Sequence, residues 1–423
     1  MRQNPTVTMR DATPGGVTWP ALLDAAPESA GVDLAELRRY RLGRVRTVMA
    51  EHGIGALVLC DAVNIRYATG TRNMQVFTSR NAPSRYLLLT DARSILYEFT
   101  GCEHLADGFD TVDEVRPALT ASFVAAGAAI ADRERQWADQ MAGEIRELLG
   151  PGNHRVGLER MNAGAAIALA GQGLSVVDAQ QPVELARCIK SDDEITCVRR
   201  SLELTERAVA TMRESIRPGM TENELWSILQ REVIAGNGDY CETRLLNSGP
   251  RTNPWFQETS SRTIQANELI CLDTDVVGCH GYYADFSRTF HVGPDAPTAE
   301  QRRRYRIAHE QVEHNVAIIE PGMSFREYSE RAWDIPAEFD EHRYYLSAHG
   351  CGMTGEYPYL YHRRDFEAAG YDGIIEAGMT LCVESYIGSP AGGEGVKLEQ
   401  QLLVTDTGTE LLSTFPFETA LLA

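Results

Sequence analysis

Five side chains of types that commonly bind metal ions are spread over the C-terminal third of the sequence. Each lies in a short apolar or glycine-bounded segment, which is unusual for a charged side chain that only contacts solvent. Four carboxylates and one imidazole form a hard, oxygen-rich set that suits one or two divalent ions and leaves room for water or a substrate carboxylate. The five candidate ligands are Asp273, Asp285, His349, Glu384 and Glu399.

The surroundings of these acids predict burial. A lone Asp or Glu usually lies on the surface, but Asp273 follows the apolar run ELICL and Glu384 follows MTLCV, where an unpaired buried carboxylate is costly. Glycines between Asp273 and Asp285, and between Glu384 and Glu399, allow two hairpins that bring each pair onto adjacent strands. We therefore expect a dinuclear centre on one sheet, with one bridging carboxylate and ions of Mn, Fe, Co or Zn.

The composition limits which partners are expected. The chain has 423 residues, 43% of them hydrophobic, and a formal net charge of −20. Such an acidic surface repels nucleic acid and anionic membranes, and no apolar run approaches the roughly 20 residues of a membrane span. The nine cysteines are scattered singly, and the first residues lack the apolar core of a signal peptide. We expect a cytoplasmic protein with a small-molecule substrate.

The length and the hydrophobic pattern predict two domains after an N-terminal arm. Residues 1–32, rich in Pro, Gly and Ala, form the predicted arm. Residues 33–186 alternate helical patterns with short apolar runs such as GALVLC and RYLLLTD, which indicates an α/β layer domain. Residues 187–423 form the second domain, in which helices pack outside the strands that carry the ligands. The predicted fold class is therefore α/β (α+β).

Four helices are predicted in the second domain. Ser191 followed by Glu194, and Thr221 followed by Glu224, are capping-box signatures that start the first two helices. Two more helices are predicted over residues 298–319 and 324–339. The remaining segments have strand-like patterns.

The order Asp, Asp, His, Glu, Glu and its spacing resemble the metal signature of the pita-bread metallopeptidases. This family includes methionine aminopeptidases, prolidases, aminopeptidase P and the metal-free creatinase. The resemblance implies a creatinase-like N-terminal domain over 33–186, a pita-bread catalytic domain over 187–423, and a homodimer. Two histidines of these peptidases are missing: SGPRTNPWFQ (248–257) contains none, and Glu356 in HGCGMTGEYP stands where the second would fall. Since those histidines position the scissile amide, their absence argues against peptide hydrolysis.

Further motifs resemble the peptidase-like dimethylsulfoniopropionate lyases, which release dimethyl sulfide and acrylate. The resemblance implies that Asp275 is a further metal-site carboxylate and that Tyr344 belongs to the site. Two positions differ, since Gly355 replaces the Asp proposed as the base in those lyases and Phe77 replaces a Trp. The motifs that carry the resemblance are NIRYATG (64–70), NMQVF (73–77), ETRLLNSGPRTNPWFQE (242–258), DTDVVG (273–278) and HGCGMTGEYP (349–358).

A lyase of this kind needs a base that removes a proton beside the substrate carboxylate while the sulfonium leaves. Glu356 or Asp275 is the expected base, a role worth about 10²–10⁴-fold in rate. Tyr344, or its neighbour Tyr345, is the expected hydrogen-bond donor. The alternative role of either tyrosine is packing, and the alternative for Glu356 is a structural carboxylate satisfied by nearby backbone N–H groups.

Three further residues are expected to contact the substrate. Phe77 and Trp255 offer aromatic faces to a sulfonium cation, and Arg251 offers a guanidinium to a carboxylate. Core packing is the alternative role for Trp255, and a structural salt bridge is the alternative for Arg251.

Two other functions compete with the lyase hypothesis. In a dinuclear hydrolase of an Xaa-Pro dipeptide or another small amide, a metal-bound water would be the nucleophile, and Glu384 or Glu356 would relay its proton. A binding module that has lost its metal is the third possibility, and the retention of all five ligand positions argues against it. The first hypothesis is a metal-dependent lyase that acts on dimethylsulfoniopropionate or a similar small zwitterionic acid.

Overall fold

The computed structural model describes residues 31–423, so almost all of the predicted arm, residues 1–32, lies outside the described residues. The chain divides into two compact units, the first ending at Arg187 and the second running from Cys188 to Ala423. Both units combine helices and strands, as the predicted fold class requires. Within residues 31–423, no helix is both long and apolar enough to cross a membrane.

Six short strands form the sheet of the first unit: β1 (Ala56–Leu59), β2 (Tyr86–Leu89), β3 (Ser94–Glu98), β4 (Glu114–Pro117), β5 (Arg155–Leu158) and β6 (Ser175–Asp178). Their order is β4-β3-β2-β1-β5-β6. β1, β2 and β3 pair antiparallel, whereas β4, β5 and β6 pair parallel to their neighbours. The apolar runs that predicted β1 and β2 are almost entirely buried in this sheet.

Among the described residues, seven α-helices accompany this sheet: α1 (Leu34–Glu51), α2 (Ala62–Thr69), α3 (Gln75–Arg80), α4 (Phe123–Ala126), α5 (Ile130–Leu149), α6 (Ala163–Gly171) and α7 (Gln180–Cys188). α5 ends before Gly150, whose φ of 85° is easy only for glycine. Trp137 of α5 is fully buried and packs against Tyr86 of β2, with ring centroids 6.1 Å apart. The core of the first unit therefore lies between the sheet and α5.

Six helices belong to the second unit: α8 (Asp192–Glu214), α9 (Glu222–Ala235), α10 (Ala299–Ala317), α11 (Phe325–Arg331), α12 (Arg363–Ala369) and α13 (Thr419–Leu422). Both predicted capping boxes are present, at Ser191 for α8 and at Thr221 for α9. The helix predicted over 324–339 is wrong in length, because α11 stops at Arg331. Pro336 disfavours a helical conformation of the residue before it, so the helix could not have continued to residue 339.

Eleven strands of the second unit form three sheets. β7 (Tyr240–Cys241), β10 (Val276–Val277) and β11 (Tyr283–Ala284) make one, and β8 (Leu246–Ser248), β9 (Leu269–Asp273) and β12 (Ser287–His291) make another. The third has the order β14-β13-β15-β16-β17 and consists of β13 (Leu346–Cys351), β14 (Gly355–Tyr361), β15 (Thr380–Ile387), β16 (Val396–Thr405) and β17 (Gly408–Leu411). The prediction that all ligands lie on one sheet is therefore wrong, since the segments that carry them belong to different sheets.

Candidate metal centre

Glu384 and Glu399 face each other across a pair of antiparallel strands. Glu384 on β15 lies directly opposite Glu399 on β16. β13 pairs with the other side of β15 and places His349 opposite Cys382. Because side chains alternate between the two faces of a strand, Cys382 and Glu384 share a face. His349 therefore lies on the same face as the two glutamates, and the predicted second hairpin is present.

Asp273 and Asp285 approach each other through a second reversal of the chain. β9 ends at Asp273, which lies opposite Ser287 of β12. Between these strands, β10 and β11 form a tight antiparallel hairpin. Asp275 enters this hairpin with a left-handed φ of 43°, a conformation that Asp adopts more readily than most residues. The predicted first hairpin is thus present, and it turns Asp275 and Asp285 towards the same region.

His349 lies among the acidic side chains. Its Nε2 is 3.5 Å from Glu399 Oε1, 3.7 Å from Asp285 Oδ2 and 3.7 Å from Glu384 Oε1. Its Nδ1 lies 2.9 Å from the carbonyl oxygen of Gly350 and donates to it, which aims Nε2 at the acids. Two ligands held about 2.1 Å from one tetrahedral ion are about 3.4 Å apart, so these separations suit ligands of a shared ion.

Three buried carboxylate oxygens of the cluster have no hydrogen-bond partner among residues 31–423. They are Asp285 Oδ1, Glu384 Oε1 and Glu399 Oε1. Unpaired buried charge is costly, and a divalent cation would relieve it. Donor atoms of Asp273, Asp275 and Asp285 lie within 4.8 Å of one another, as do those of Asp285, His349 and Glu399. Asp285 belongs to both groups, so the residues fit two adjacent ions, and Asp285 is the carboxylate that could contribute to holding both.

Burial makes most of these acids hard to ionise. It raises the pKa of Asp273 and of Glu384 to about 7, although Lys397 opposes the shift. Burial, and then the charge of Asp273, raises the pKa of Asp275 to about 8. Burial also raises the pKa of Asp285 well above its ordinary value, with further contributions from neighbouring carboxylates. Carboxylates that repel one another in this way favour a bound cation.

Glu399 and His349 differ from the other members because their neighbours favour the charged form of each. Burial opposes the ionisation of Glu399, but Lys397 and His349 outweigh it and hold the pKa of Glu399 below its ordinary value. Burial likewise opposes the charge on His349, and Glu399 and Glu384 overcome it and raise the pKa of His349 to about 10. A metal ion bound at Nε2 of His349 would therefore replace a proton.

Lys397 pairs with three of the acids and was not predicted to belong to the site. Its Nζ is 2.8 Å from Glu384 Oε2, 3.0 Å from Glu399 Oε2 and 3.5 Å from Asp273 Oδ2. The side chain is fully buried, and burial opposes its charge, but the three carboxylates hold the pKa of Lys397 well above its ordinary value. The sequence contains a usable signal, because Lys397 and Glu399 are two residues apart and so share one face of a strand.

Asp275 is half-buried at the edge of the cluster and has three polar neighbours that were not predicted. Thr243 donates a hydrogen bond to Asp275 Oδ2, and the hydroxyl of Tyr283 lies 3.3 Å from Asp275 Oδ1. The same hydroxyl donates to Glu242 Oε2 at 2.5 Å. Glu242 and Thr243 open the motif ETRLLNSGPRTNPWFQE, which was the available signal in the sequence.

A cavity of about 200 Å³ opens over the cluster. The acids, His349 and several aromatic rings line it. The rings of Tyr344 and Tyr345 are 5.0 Å apart, that of Phe256 is 5.1 Å from Tyr344, and that of Tyr359 is 6.2 Å from Tyr345. No Arg or Lys among the described residues lines the cavity. Its volume is below the roughly 300–1,000 Å³ of pockets for drug-sized ligands, so the cavity suits a small molecule.

Glu356, one of the two expected bases, does not line the cavity. Its carboxylate is buried and accepts a hydrogen bond from Lys190 Nζ at 2.5 Å. Gly355 does line the cavity. The structure therefore brings Asp275 and Tyr344 together with the candidate metal ligands, and it pairs Glu356 with Lys190 instead.

The three expected substrate contacts have other partners. Arg251 pairs with Glu222, and Trp255 is buried against Tyr386, with ring centroids 5.9 Å apart. Neither lines the cavity. Phe77 lies in the first unit on α3, is 44% exposed and meets Phe99 edge-on. Contact of Phe77 with the substrate stays a prediction.

Comparison with known proteins agrees with the geometry of the site. Residues 196–406 match metallopeptidase family M24, and residues 41–189 match the creatinase/prolidase N-terminal domain. Two dimethylsulfoniopropionate lyases named DddP, from Roseovarius nubinhibens and Roseobacter denitrificans, are 34% and 35% identical to this chain over 398 residues. Each alignment covers 92% of this chain and 88% of the relative. The chain belongs to the pita-bread metallopeptidase family.

Solved structures of pita-bread metallopeptidases share the fold. An Xaa-Pro dipeptidase from Bacillus anthracis has a TM-score of 0.72 at 22% identity, covering 90% of this chain and 99% of that one. A prolidase from Thermococcus sibiricus has a TM-score of 0.74 at 20% identity, covering 90% and 98%. The predicted family and fold class are confirmed. The protein is an enzyme of the metallopeptidase superfamily, whose members typically depend on two metal ions.

Proposed function

We propose that this pita-bread enzyme is a metal-dependent lyase that cleaves dimethylsulfoniopropionate, or a similar small zwitterionic acid. The observation that carries the proposal is the small cavity, which is lined by a cluster of carboxylates and one imidazole and by aromatic rings and, among the described residues, by no Arg or Lys. The identity of 34–35% to two dimethylsulfoniopropionate lyases over 92% of the chain supports the choice of substrate.

The two ends of such a substrate suit the two kinds of surface in the cavity. Divalent ions held by the cluster would bind the substrate carboxylate and make the neighbouring C–H group more acidic. The sulfonium would lie against the rings of Phe256, Tyr344, Tyr345 and Tyr359, because the face of an aromatic ring attracts a cation. The acidic lining adds attraction for the sulfonium.

The proposed reaction is a β-elimination. A base takes the proton from the carbon beside the carboxylate, the C–H electron pair becomes the double bond of acrylate, and the C–S pair leaves with dimethyl sulfide. Asp275 is the proposed base, since it lines the cavity whereas Glu356 does not. Thr243 and Tyr283 orient the Asp275 carboxylate, and Tyr344 is the proposed hydrogen-bond donor to the substrate.

The test is to incubate the metal-loaded protein with dimethylsulfoniopropionate and to measure both products by chromatography. We expect equimolar dimethyl sulfide and acrylate, with loss of both after chelation and in His349→Ala. Asp275→Asn should lower the rate by about 10²–10⁴-fold, whereas Asp406→Asn, a change of the same type on the exposed surface, should leave it unchanged. Product formation no greater than in the metal-free control would overturn the proposal.

Hydrolysis of an Xaa-Pro dipeptide or another small amide is the second candidate. The observation in its favour is that the match to metallopeptidase family M24 includes all five predicted ligands. Against it, His349 is the only histidine among the described residues that line the cavity, so neither amide-positioning histidine has a counterpart there. A panel of Xaa-Pro dipeptides should show no metal-dependent turnover. Turnover of a dipeptide faster than that of dimethylsulfoniopropionate would favour the hydrolase.

A further inference from the structure

Lys397 contacts the glutamates of the cluster from the side opposite to their unpaired oxygens. It bonds Oε2 of Glu384 and Oε2 of Glu399. The oxygens without a hydrogen-bond partner in the described part of the chain are Oε1 of the same two residues, and both lie within 3.7 Å of His349 Nε2. Each glutamate thus presents one oxygen to Lys397 and the other to the region where an ion would bind.

The position of Lys397 is fixed by several contacts. Its Nζ also lies 2.9 Å from Ser287 Oγ, and it approaches the ring of Tyr344 at 5.2 Å and that of Trp255 at 5.9 Å from the ring centroids. No other Arg or Lys among residues 31–423 forms an ion pair with Asp273, Asp275, Asp285, Glu384 or Glu399. Lys397 is therefore the only internal cation of the described cluster apart from His349.

We propose that Lys397 is a positioning residue whose positive charge offsets one negative charge of the cluster and so limits the affinity of the cluster for metal ions. The inference rests on the metal centre of the proposed function. Five carboxylates and one ammonium group, five negative charges and one positive, have a formal total of −4, which two divalent ions neutralise. Without Lys397 the same ions would face one more uncompensated negative charge, and the attraction between opposite charges is strong where water is excluded.

Lys190 provides a matched comparison for a purely structural role. It is a second buried lysine of the same unit, and its Nζ bonds Glu356 Oε1 and, at 3.2 Å, the carbonyl oxygen of Cys188. It forms no ion pair with the five carboxylates in the described residues. Replacing either lysine by Met leaves buried carboxylate unpaired and lowers stability, but only Lys397 is expected to change metal affinity.

The experiment is a calorimetric titration of the metal-free proteins with Mn²⁺. Lys397→Met should bind Mn²⁺ about tenfold more tightly than wild type, because a neighbouring positive charge is gone. Lys397→Arg and Lys190→Met should bind it as wild type does, while Lys190→Met unfolds at a lower temperature. Unchanged or weaker binding by Lys397→Met would overturn the inference, as would equally tightened binding by Lys190→Met.

A second measurement covers the case in which metal-free Lys397→Met does not fold. The variant is then produced in Mn²⁺-supplemented medium, and the loss of Mn²⁺ to excess chelator is timed. Slower loss than from wild type supports the inference, and equal or faster loss contradicts it. Failure of the wild type itself to bind Mn²⁺, Zn²⁺, Co²⁺ or Fe²⁺ would instead remove the metal centre of the proposed function.

Discussion

Gly355 is the cavity residue at which this chain departs from the lyases that its motifs resemble. A Cβ atom added there would lie 3.8 Å from the nearest atoms of the His349 ring, an ordinary contact distance. The backbone at Gly355 is not in the left-handed region, so a larger side chain introduces no backbone strain there. A carboxylate at this position would face the cavity from the same edge as His349.

Gly355→Asp should therefore increase cleavage of dimethylsulfoniopropionate. We expect a rise of at least about tenfold, since a well-placed general base is worth about 10²–10⁴-fold. Gly355→Asn is the matched control, because it has nearly the same size and shape but cannot accept the proton. Initial rates of dimethyl sulfide release from the two variants check this, and equal rates would show that a carboxylate at position 355 does not act as a base.

Glu159 in the first unit provides a test of the buried electrostatics outside the metal centre. Its carboxylate accepts hydrogen bonds from the backbone N–H groups of Cys60 and Asp61 and from the amide of Asn64. Burial, followed by the charge of Asp61, raises the pKa of Glu159 from 4.5 to about 7. The folded chain therefore binds a proton more tightly than the unfolded chain, so stability falls as the pH rises from about 4.5 to 7.

The expected consequence is a pH-dependent difference between wild type and Glu159→Gln. The free energy of unfolding of wild type, relative to that of the variant, should fall by about 2–3 kcal/mol between pH 5 and pH 8. Urea unfolding of both proteins at several pH values measures the difference, and any constant cost of the substitution cancels. A difference that is the same at all pH values would mean that Glu159 titrates normally in the folded state.

The starts of the first two helices of the second unit, α8 and α9, agree with the capping boxes predicted from the sequence. At the start of α8, Ser191 Oγ accepts from the backbone N–H of Glu194, and the Glu194 carboxylate accepts from that of Ser191. These bonds satisfy backbone donors that the first turn of a helix leaves free. Local geometry of this kind involves residues three apart, so a sequence pattern is sufficient to predict it.

Ser191→Ala should remove one of the two bonds of this capping box. The expected cost is about 1 kcal/mol in the free energy of unfolding, while the metal content of the protein should be unchanged because Ser191 contacts no candidate ligand. Ser191→Asp, which keeps an acceptor at the cap, should recover most of the loss. Denaturant unfolding of wild type and the two variants measures this difference. Equal unfolding midpoints for wild type and Ser191→Ala would contradict the capping role of Ser191.

The two hairpins that bring the acids together were also predictable from local sequence, because each depends on a short stretch of chain. The partners of several side chains were not predictable in this way. Glycines in the sequence between each pair of acids indicated where the chain reverses, and the pairs did meet. Glu356 is one of two bases expected from the sequence, and its partner Lys190, 166 residues away, leaves no local signal that would favour the alternative structural role. The pairing of Asp273 with Lys397 and the division of the strands into separate sheets likewise depend on contacts between distant segments.

At the scale of the whole molecule, all the candidate ligands belong to the second unit, Cys188–Ala423. They join β9, β13, β15 and β16 with the turn before β12, so an ion bound to them would cross-link separate sheets of that unit. Ligand binding to the folded state stabilises it by mass action. We expect the strands that carry the candidate ligands to be stabilised most.

Addition of Mn²⁺ to the chelated protein should therefore slow amide hydrogen exchange in the second unit. We expect the largest effect in peptides covering 269–273, 346–351, 380–387 and 396–405. Peptides from β1 and β2 of the first unit, which contributes no candidate ligand, should exchange at the same rate with and without metal. Mass spectrometry of the exchanged protein resolves the two sets, and an effect confined to the first unit or absent from both would contradict the site.

The metal content of the purified protein tests the central claim directly, because the proposed reaction requires metal ions bound by the cluster. After incubation with Mn²⁺ and removal of free ions, elemental mass spectrometry should find two ions per chain in wild type and in Asp406→Asn. Asp285→Asn, which removes the carboxylate shared by both groups of donor atoms, should retain fewer than one. A wild-type protein that retains no Mn²⁺, Fe²⁺, Co²⁺ or Zn²⁺, and whose unfolding temperature does not rise when these ions are added, would contradict the metal centre.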